Sequence, residues 1–187
     1  MKDKIAIIDG NSLLYRAFYA IPVLTDSQGH YTNAVYGFLN MLLKLYEQLD
    51  PKYVAVAFDK DKHTFRNELY GEYKATRKPA PDELRPQFAL IREVLQCLGI
   101  RILEQEGYEG DDIIGTLARE LEKENLDIAV VTGDRDALQL VDDCVTVHLT
   151  KKGITNMLAV TPQVMEEEYG YTPAQVIDMK ALMGDTA

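Results

Sequence analysis

One stretch limits what this chain can become more than any other. It runs from Glu109 to Asp136, EGDDIIGTLARELEKENLDIAVVTGDRD. It opens on three acids, Glu109, Asp111 and Asp112, and continues as an amphipathic helix with Ile113, Ile114, Leu117, Ala118 and Leu121 on one face. A short apolar strand comes next, Ile128 to Val131, ending in Thr132-Gly133 and two further acids, Asp134 and Asp136. A helix followed by a strand folds back on itself, so the acids at the two ends can meet. Carboxylates repel one another and are costly to desolvate unless paired. Crowding them makes sense around a divalent cation, and hard oxygen ligands select magnesium or manganese over zinc.

The rest of the chain repeats the same grammar. KIAII at residues 4 to 8 reads as a buried strand ended by Asp9-Gly10, with a helix through LLYRAFYA after it. Residues 34 to 49 form the clearest helix, with Val35, Phe38, Leu39, Leu42, Leu45, Tyr46 and Leu49 on one face, stopped by Asp50-Pro51. YVAVAF, residues 53 to 58, is a second buried strand, again ended by an acid, Asp59. Pro86 starts a helix with Phe88, Ile91, Val94, Leu95 and Leu98 on its apolar face and Gly99 at its end. Residues 100 to 103 make a short strand, 137 to 141 a short helix and 144 to 149 another strand. Lys151-Lys152-Gly153 can turn a hairpin into residues 154 to 160. Thr161-Pro162 and Thr172-Pro173 each read as an N-cap followed by proline at the first helical position. Alternating strands and helices predict an α/β class with a largely parallel central sheet flanked by helices. Such sheets bind ligands at the carboxyl ends of their strands, where Asp9, Asp59 and Asp134 should converge.

An acid after a strand is, taken singly, more often a turn or capping residue. Asp134 could simply cap the next helix, and Asp111 and Asp112 could simply favour a helix start. Three strand-end acids plus an acidic helix start in one small domain point to a metal site. Other chemistries fit poorly. His30, His63 and His148 are scattered, and no P-loop, GxGxxG or nucleophile elbow is present. Asp9-Gly10-Asn11 lacks the second acid of an aspartyl phosphatase. Cys97 and Cys144 read as reduced core residues. The apolar runs are far short of the ~18 residues of a membrane span or of a signal peptide's length, so a cytoplasmic protein with no membrane partner is expected.

A net charge of -10 argues at first against a nucleic-acid partner, but leaving out the eight acids assigned to the site brings it to -2. Basic charge is also concentrated: six Lys or Arg against three acids lie between Lys60 and Lys78. Residues 60 to 85 lack a core-like stripe and read as an excursion from the sheet. Within it, YGEYKATRK spaces Lys74, Arg77 and Lys78 so that a helix would put them on one face, beside Tyr70 and Tyr73. Cations steer phosphates and aromatics stack on unpaired bases. Arg16, two turns past Asp9, could reach a phosphate or pair with a surface acid.

IIDGNSLLYRAFYA, VAVAFD, FRNELYGEYKATRKPAPDEL, GYEGDDIIGTLA, VVTGDRDALQLV and LMGD together resemble the 5′ nuclease domain of bacterial DNA polymerase I and, more distantly, the flap endonucleases. The resemblance covers residues 1 to 187. It implies a two-metal phosphodiesterase acting on DNA 5′ ends and 5′ flaps, working as a monomer with two Mg2+, for which Mn2+ can substitute. By motif, Asp9, Asp59, Glu109 and Asp111 carry over to the first metal. Asp111, Asp112, Asp134, Asp136 and Asp185 fall at or between the sites and toward the second. Arg16, Lys74, Arg77 and Lys78 fall on phosphate contacts, the last three in a helical arch spanning residues 60 to 85. The family pattern continues past Gly184-Asp185 into a further acid, a helix-two-turn-helix and, in the polymerases, further domains. The 187 residues alone are therefore expected to cut weakly, with a raised metal requirement. The rivals are an idle DNA-binding module of the same fold and a PIN-type metal-dependent RNase.

Overall fold

The computed structural model describes residues 2–61, 63–75, 78–151 and 156–184. In chain order the main elements are β1 (Asp3–Asp9), α1 (Gly10–Ala20), α2 (Asn33–Leu49), β2 (Tyr53–Ala57), α3 (Phe65–Leu69), α4 (Arg85–Cys97), β3 (Arg101–Leu103), α5 (Gly110–Leu121), β4 (Leu126–Thr132), β5 (Val145–Thr150), β6 (Met157–Val160), α6 (Pro162–Val164) and α7 (Pro173–Met183). A 3-10 turn, Arg135–Leu140, comes after β4, and a π-helical turn, Met165–Tyr169, comes after α6.

The strands form one six-stranded sheet in the order β3-β2-β1-β4-β5-β6. All pairings are parallel except β5 with β6. The chain winds from β1 outward to β3 on one side, then returns to place β4 on the other side of β1. The order therefore reverses between β1 and β4, and the crevice outside their carboxyl ends is where such sheets take ligands.

Strand alternation divides the core. Ala6, Ile8, Val56, Phe58 and Val131 face one layer, packed by α1, α2 and α4 through Leu13, Leu14, Phe38, Leu42, Ile91 and Leu95. Ile5, Ile7, Ala57, Ile128 and Val130 face the other, packed by Ile114 and Ala118 of α5, Leu138, Met165 and Val176. Burial on both faces is why these strands read as unbroken apolar runs rather than alternating ones.

The α/β architecture and largely parallel sheet agree with the sequence reading; several details differ. The helix read at 137 to 141 is the 3-10 turn Arg135–Leu140, capped at its start by Asp134 through the Asp136 N–H and ended where Val141 turns to extended backbone. The hairpin strand begins at Met157, and Lys151 N–H donates to Asn156 O at 2.7 Å to close it; residues 152–155 lie outside the described residues. Neither cysteine is a buried core residue: Cys97 is exposed, because α4 spends its inward face on Ile91 and Leu95, and Cys144 is half-buried ahead of β5; both are free. Thr172 forms a capping box with Gln175, and Thr161 accepts from Val164 N–H, as their sequence context suggests. Among the described residues no helix is long and apolar enough to cross a membrane.

Gly10 shows how tightly the site end of the sheet is built. A Cβ there would lie 2.5 Å from the Phe58 ring, over which the Arg92 guanidinium stands 4.4 Å from the centroid. The ring is fully buried, so yielding means displacing packed neighbours. Gly10→Ala should therefore cost about 1–3 kcal/mol of stability by overpacking, read as a lower urea midpoint with an unchanged denaturant slope.

Candidate active site at the sheet switch point

The cleft at the switch point has a volume of about 920 Å3, and its lining includes Asp9, Asp59, Glu109, Asp111 and Asp134. Each acid arrives by a different local device. Asp9 ends β1 and caps α1, its Oδ1 accepting from Ser12 N–H at 2.9 Å, while Oδ2 accepts from the Thr132 hydroxyl at 2.7 Å. Asp59, just past β2, accepts from Gly110 N–H at 2.6 Å and from Asn11 Nδ2 at 2.5 Å. Glu109 is the N-cap of α5, and Asp134 caps the 3-10 turn after β4. The capping reading and the functional reading are thus compatible: one oxygen holds a backbone end while the residue still fronts the cleft.

The electrostatics record the crowding. Burial, with Asp59 and Asp134 as negative neighbours, pushes the Asp9 carboxyl up to about 6 despite its two donors. Asp111 goes up to about 7, first through desolvation and then through Asp9, Asp134 and Asp59. Asp111 as a residue is exposed, yet its carboxyl is walled by neighbours. The two descriptions agree once the open side is taken to be the cleft itself, so its shift reflects like charge as well as burial.

Protein cations answer part of this charge. Lys74 Nζ lies 2.9 Å from Glu109 Oε2, and the Tyr73 hydroxyl donates to the same oxygen at 3.2 Å. Arg66 forks onto both oxygens of Asp112 at 2.7 Å, which leaves Asp112 turned from the cleft. Helix geometry separates the adjacent pair: one residue along α5 rotates the side chain by about a quarter turn, so Asp111 meets the cleft and Asp112 meets Arg66. Asp136 is 2.9 Å from Lys180 and is not part of the cleft lining. Asp185 and Arg77 lie outside the described residues.

The basic residues also depart from the simplest expectation. Residues 71–75 form turns rather than the helix that would align Lys74 with Lys78, and Lys74 has φ 55°. That left-handed backbone is uncommon for a residue with a Cβ, and it aims Lys74 inward at Glu109. Lys78 lines the cleft; Arg16 lines a neighbouring cavity instead. The sequence reading passed over Asn11, Tyr15, Arg85, Phe88 and Arg92, which also line the cleft. Tyr15 and Phe88 meet edge to face at 5.8 Å. Phe88 reads as part of an apolar helix face and Tyr15 only as part of its helix, and only the fold shows them on a wall.

The donor set fits a hard divalent cation. It is all oxygen and anionic, and Asn11 Oδ1 is buried without a partner. Among the described residues, no three His, Cys, Asp or Glu side chains are placed to hold one ion as they stand. The carboxylates are instead shared out among protein donors, whose hydrogen bonds favour the charged form against the repulsion.

Comparison with known proteins places this geometry. Residues 4–170 match the model of the 5′-3′ exonuclease N-terminal, resolvase-like domain. The chain is 50% identical over 185 residues to DNA polymerase I of Bacillus caldotenax, covering 99% of this chain and 21% of that protein. It thus spans about one fifth of the length of the curated relatives it matches. Bacteriophage T5 5′-exonuclease with bound zinc superposes with a TM-score of 0.72 at 21% identity, covering 97% of this chain and 67% of that one. A T5 flap endonuclease complex with DNA and metal ions gives 0.71 at 19% identity, covering 97% and 66%. At these identities the two structures establish a shared fold.

The raised Asp9 carboxyl fixes the sign of a stability change. Its folded pKa of about 6 exceeds the ordinary 3.8, so the folded state is penalised as pH rises from about 4 to 6, and fully above that. Asp9→Asn keeps an acceptor for Ser12 and removes the charge. It should stabilise the metal-free protein at pH 8 by about 3 kcal/mol, with the difference vanishing toward pH 4, in urea titrations at both pH values. Millimolar divalent cation should reverse the order at pH 8 by stabilising only the unsubstituted chain.

Proposed function

We propose, for a chain that belongs to the family of 5′-3′ exonuclease N-terminal, resolvase-like domains, the hydrolysis of DNA phosphodiester bonds at 5′ ends and 5′ flaps. Two Mg2+ ions would serve as cofactors, with Mn2+ able to substitute, and the protein would act as a monomer. The observation that carries this reading is the convergence of Asp9, Asp59, Glu109, Asp111 and Asp134 on one cleft that also carries Lys74, Lys78, Arg85 and Arg92. Acids to bind cations and bases to bind phosphate are needed at the same place.

Asp9, Asp59, Asp111 and Asp134 would hold the metals, and Glu109 would join them on release from Lys74. The ions, when bound, supply a water of lowered pKa and offset charge on the leaving oxygen. The chain's own part is placement. Gly110 N–H and Asn11 fix the Asp59 carboxylate before substrate arrives. Lys74 is near enough to Glu109 to move its charge onto a phosphate in the cleft. Tyr15 and Phe88 offer an aromatic wall on which an unpaired base can stack. Asp112 and Asp136, paired with Arg66 and Lys180, would join the metal site only by giving up those partners.

A labelled 5′-flap DNA, a matched RNA and a blunt duplex, each with and without magnesium, test this directly. Magnesium-dependent cutting of the flap is expected. Cutting of the RNA alone would favour a PIN-type RNase, and binding without cutting an idle module. Asp134→Asn should lower turnover at saturating DNA by about 100-fold or more with the fold retained by circular dichroism. Unchanged turnover would remove Asp134 from the site. Lys74→Ala should lower turnover as well, with a smaller effect on binding.

A further inference from the structure

Beside the carboxylate cleft lies a cavity of about 420 Å3 with the opposite character. Its wall includes Arg16, Arg135, Lys151, Thr150, Leu149, Tyr169 and the backbone of Gly133, and among the described residues no acid lines it. The carboxylate cleft carries cations too, but there they stand among acids; here, among the described residues, three cations line a cavity without one.

These charges are not neutralised at home. Arg66, Arg92 and Arg119 each hold a carboxylate at 2.6 or 2.7 Å. Among the described residues, neither Arg16 nor Arg135 forms an ion pair with an acid. Arg16 reaches from α1 to donate through Nη1 to the Lys151 carbonyl, and its Nε is buried without a partner. Tyr169 stands beside Arg135, and burial pushes its phenol up, which keeps the hydroxyl protonated as a further donor. Planar guanidinium groups with an ammonium and a hydroxyl are a set of donors suited to phosphate oxygens.

Gly133 joins this cavity to the cleft, because it lies on both linings. Its N–H donates to Ser12 Oγ at 2.8 Å. A Cβ there would stand 2.8 Å from Ser12 Oγ, 3.1 Å from Thr150 Oγ1 and 3.3 Å from Arg16 Nη2. A side chain at this position would crowd the point where the two linings meet. An extended polyanion lying across it would set one phosphate against the acids and another against the arginines.

We propose that Arg135 and Lys151 extend the phosphate contact that the family resemblance already implies for Arg16 into a phosphodiester subsite, which takes a second backbone phosphate of the DNA strand whose scissile phosphate lies in the carboxylate cleft and so sets where along the strand the cut falls. The proposal rests on the nuclease reading above. Arg135 and Lys151 are both exposed, so substituting either leaves the core alone.

The test is a binding measurement independent of cleavage. Fluorescence anisotropy is recorded in calcium on 5′-flap DNAs that each carry one neutral methylphosphonate at a different linkage. The unsubstituted chain should bind one of these about tenfold more weakly than the all-phosphate flap. Arg135→Gln should bind the unmodified flap about tenfold more weakly, lose the penalty at that linkage only, and show a salt slope smaller by about one. Lys151→Gln should respond at the same linkage, and in magnesium both variants should spread the cut over neighbouring positions. Identical methylphosphonate profiles for parent and both variants would overturn the subsite while leaving the nuclease reading intact. No DNA binding by the unsubstituted chain would overturn both.

Discussion

Repulsion among carboxylates at the end of a parallel sheet is the constraint on which the rest of this structure turns. Asp9, Asp59, Asp111 and Asp134 are brought together by topology, not by mutual attraction: β1 and β4 are neighbours because the strand order reverses between them. The apolar contacts of two core layers hold that geometry against the repulsion, and the raised Asp9 and Asp111 carboxyls measure what the layers work against. A site of this kind is a local departure from what would be most stable, kept because the surroundings over-determine it.

Much of this was legible in the sequence. Unbroken apolar runs ending in an acid identify strands buried on both faces, and helical periodicity between them fixes the α/β class. The strand-end acids then had to meet, whatever the exact strand order. What remained illegible has a common cause. Asp111 and Asp112 are indistinguishable as letters, and their separation depends on which one α5 turns toward Arg66, a residue 46 positions away in sequence. Lys74 looks like one member of a helical basic face, but the turn before it and its left-handed backbone bring it to Glu109. Phe88 sits at core spacing and Tyr15 in a helix with no assigned face, and only the contact between α1 and α4 puts both on a wall of the cleft. Side-chain fate at a helix start or in an irregular excursion is decided by tertiary partners that local pattern does not encode.

The base of that excursion is also tied more firmly than its composition suggests. Thr64 and Asn67 form a capping box, Phe65 N–H donates to Gly107 O, and the Phe65 ring lies 5.5 Å from that of Tyr108. Arg66 stacks 4.7 Å from the Phe65 centroid while it holds Asp112. Those contacts all converge on the segment leading into α5, where Glu109 is both N-cap and cleft residue. The excursion and the acidic helix start therefore share one rigid seat, and a displacement of either is felt by the other.

Glu109 draws these threads together. Its backbone N–H is held by Asp112, which Arg66 holds in turn, while its own carboxylate receives Lys74 and Tyr73. A cation entering the cleft and the ammonium of Lys74 compete for the Glu109 carboxylate, since two positive charges drawn to one negative group repel each other. Whatever draws Lys74 toward a phosphate makes Glu109 more available to a cation, and whatever binds Glu109 makes Lys74 more available to a phosphate. By linkage the two effects are equal in free energy. An excursion seated on the start of α5 is thus a way to make cation and polyanion favour one another at a site whose own salt bridges otherwise hold it together.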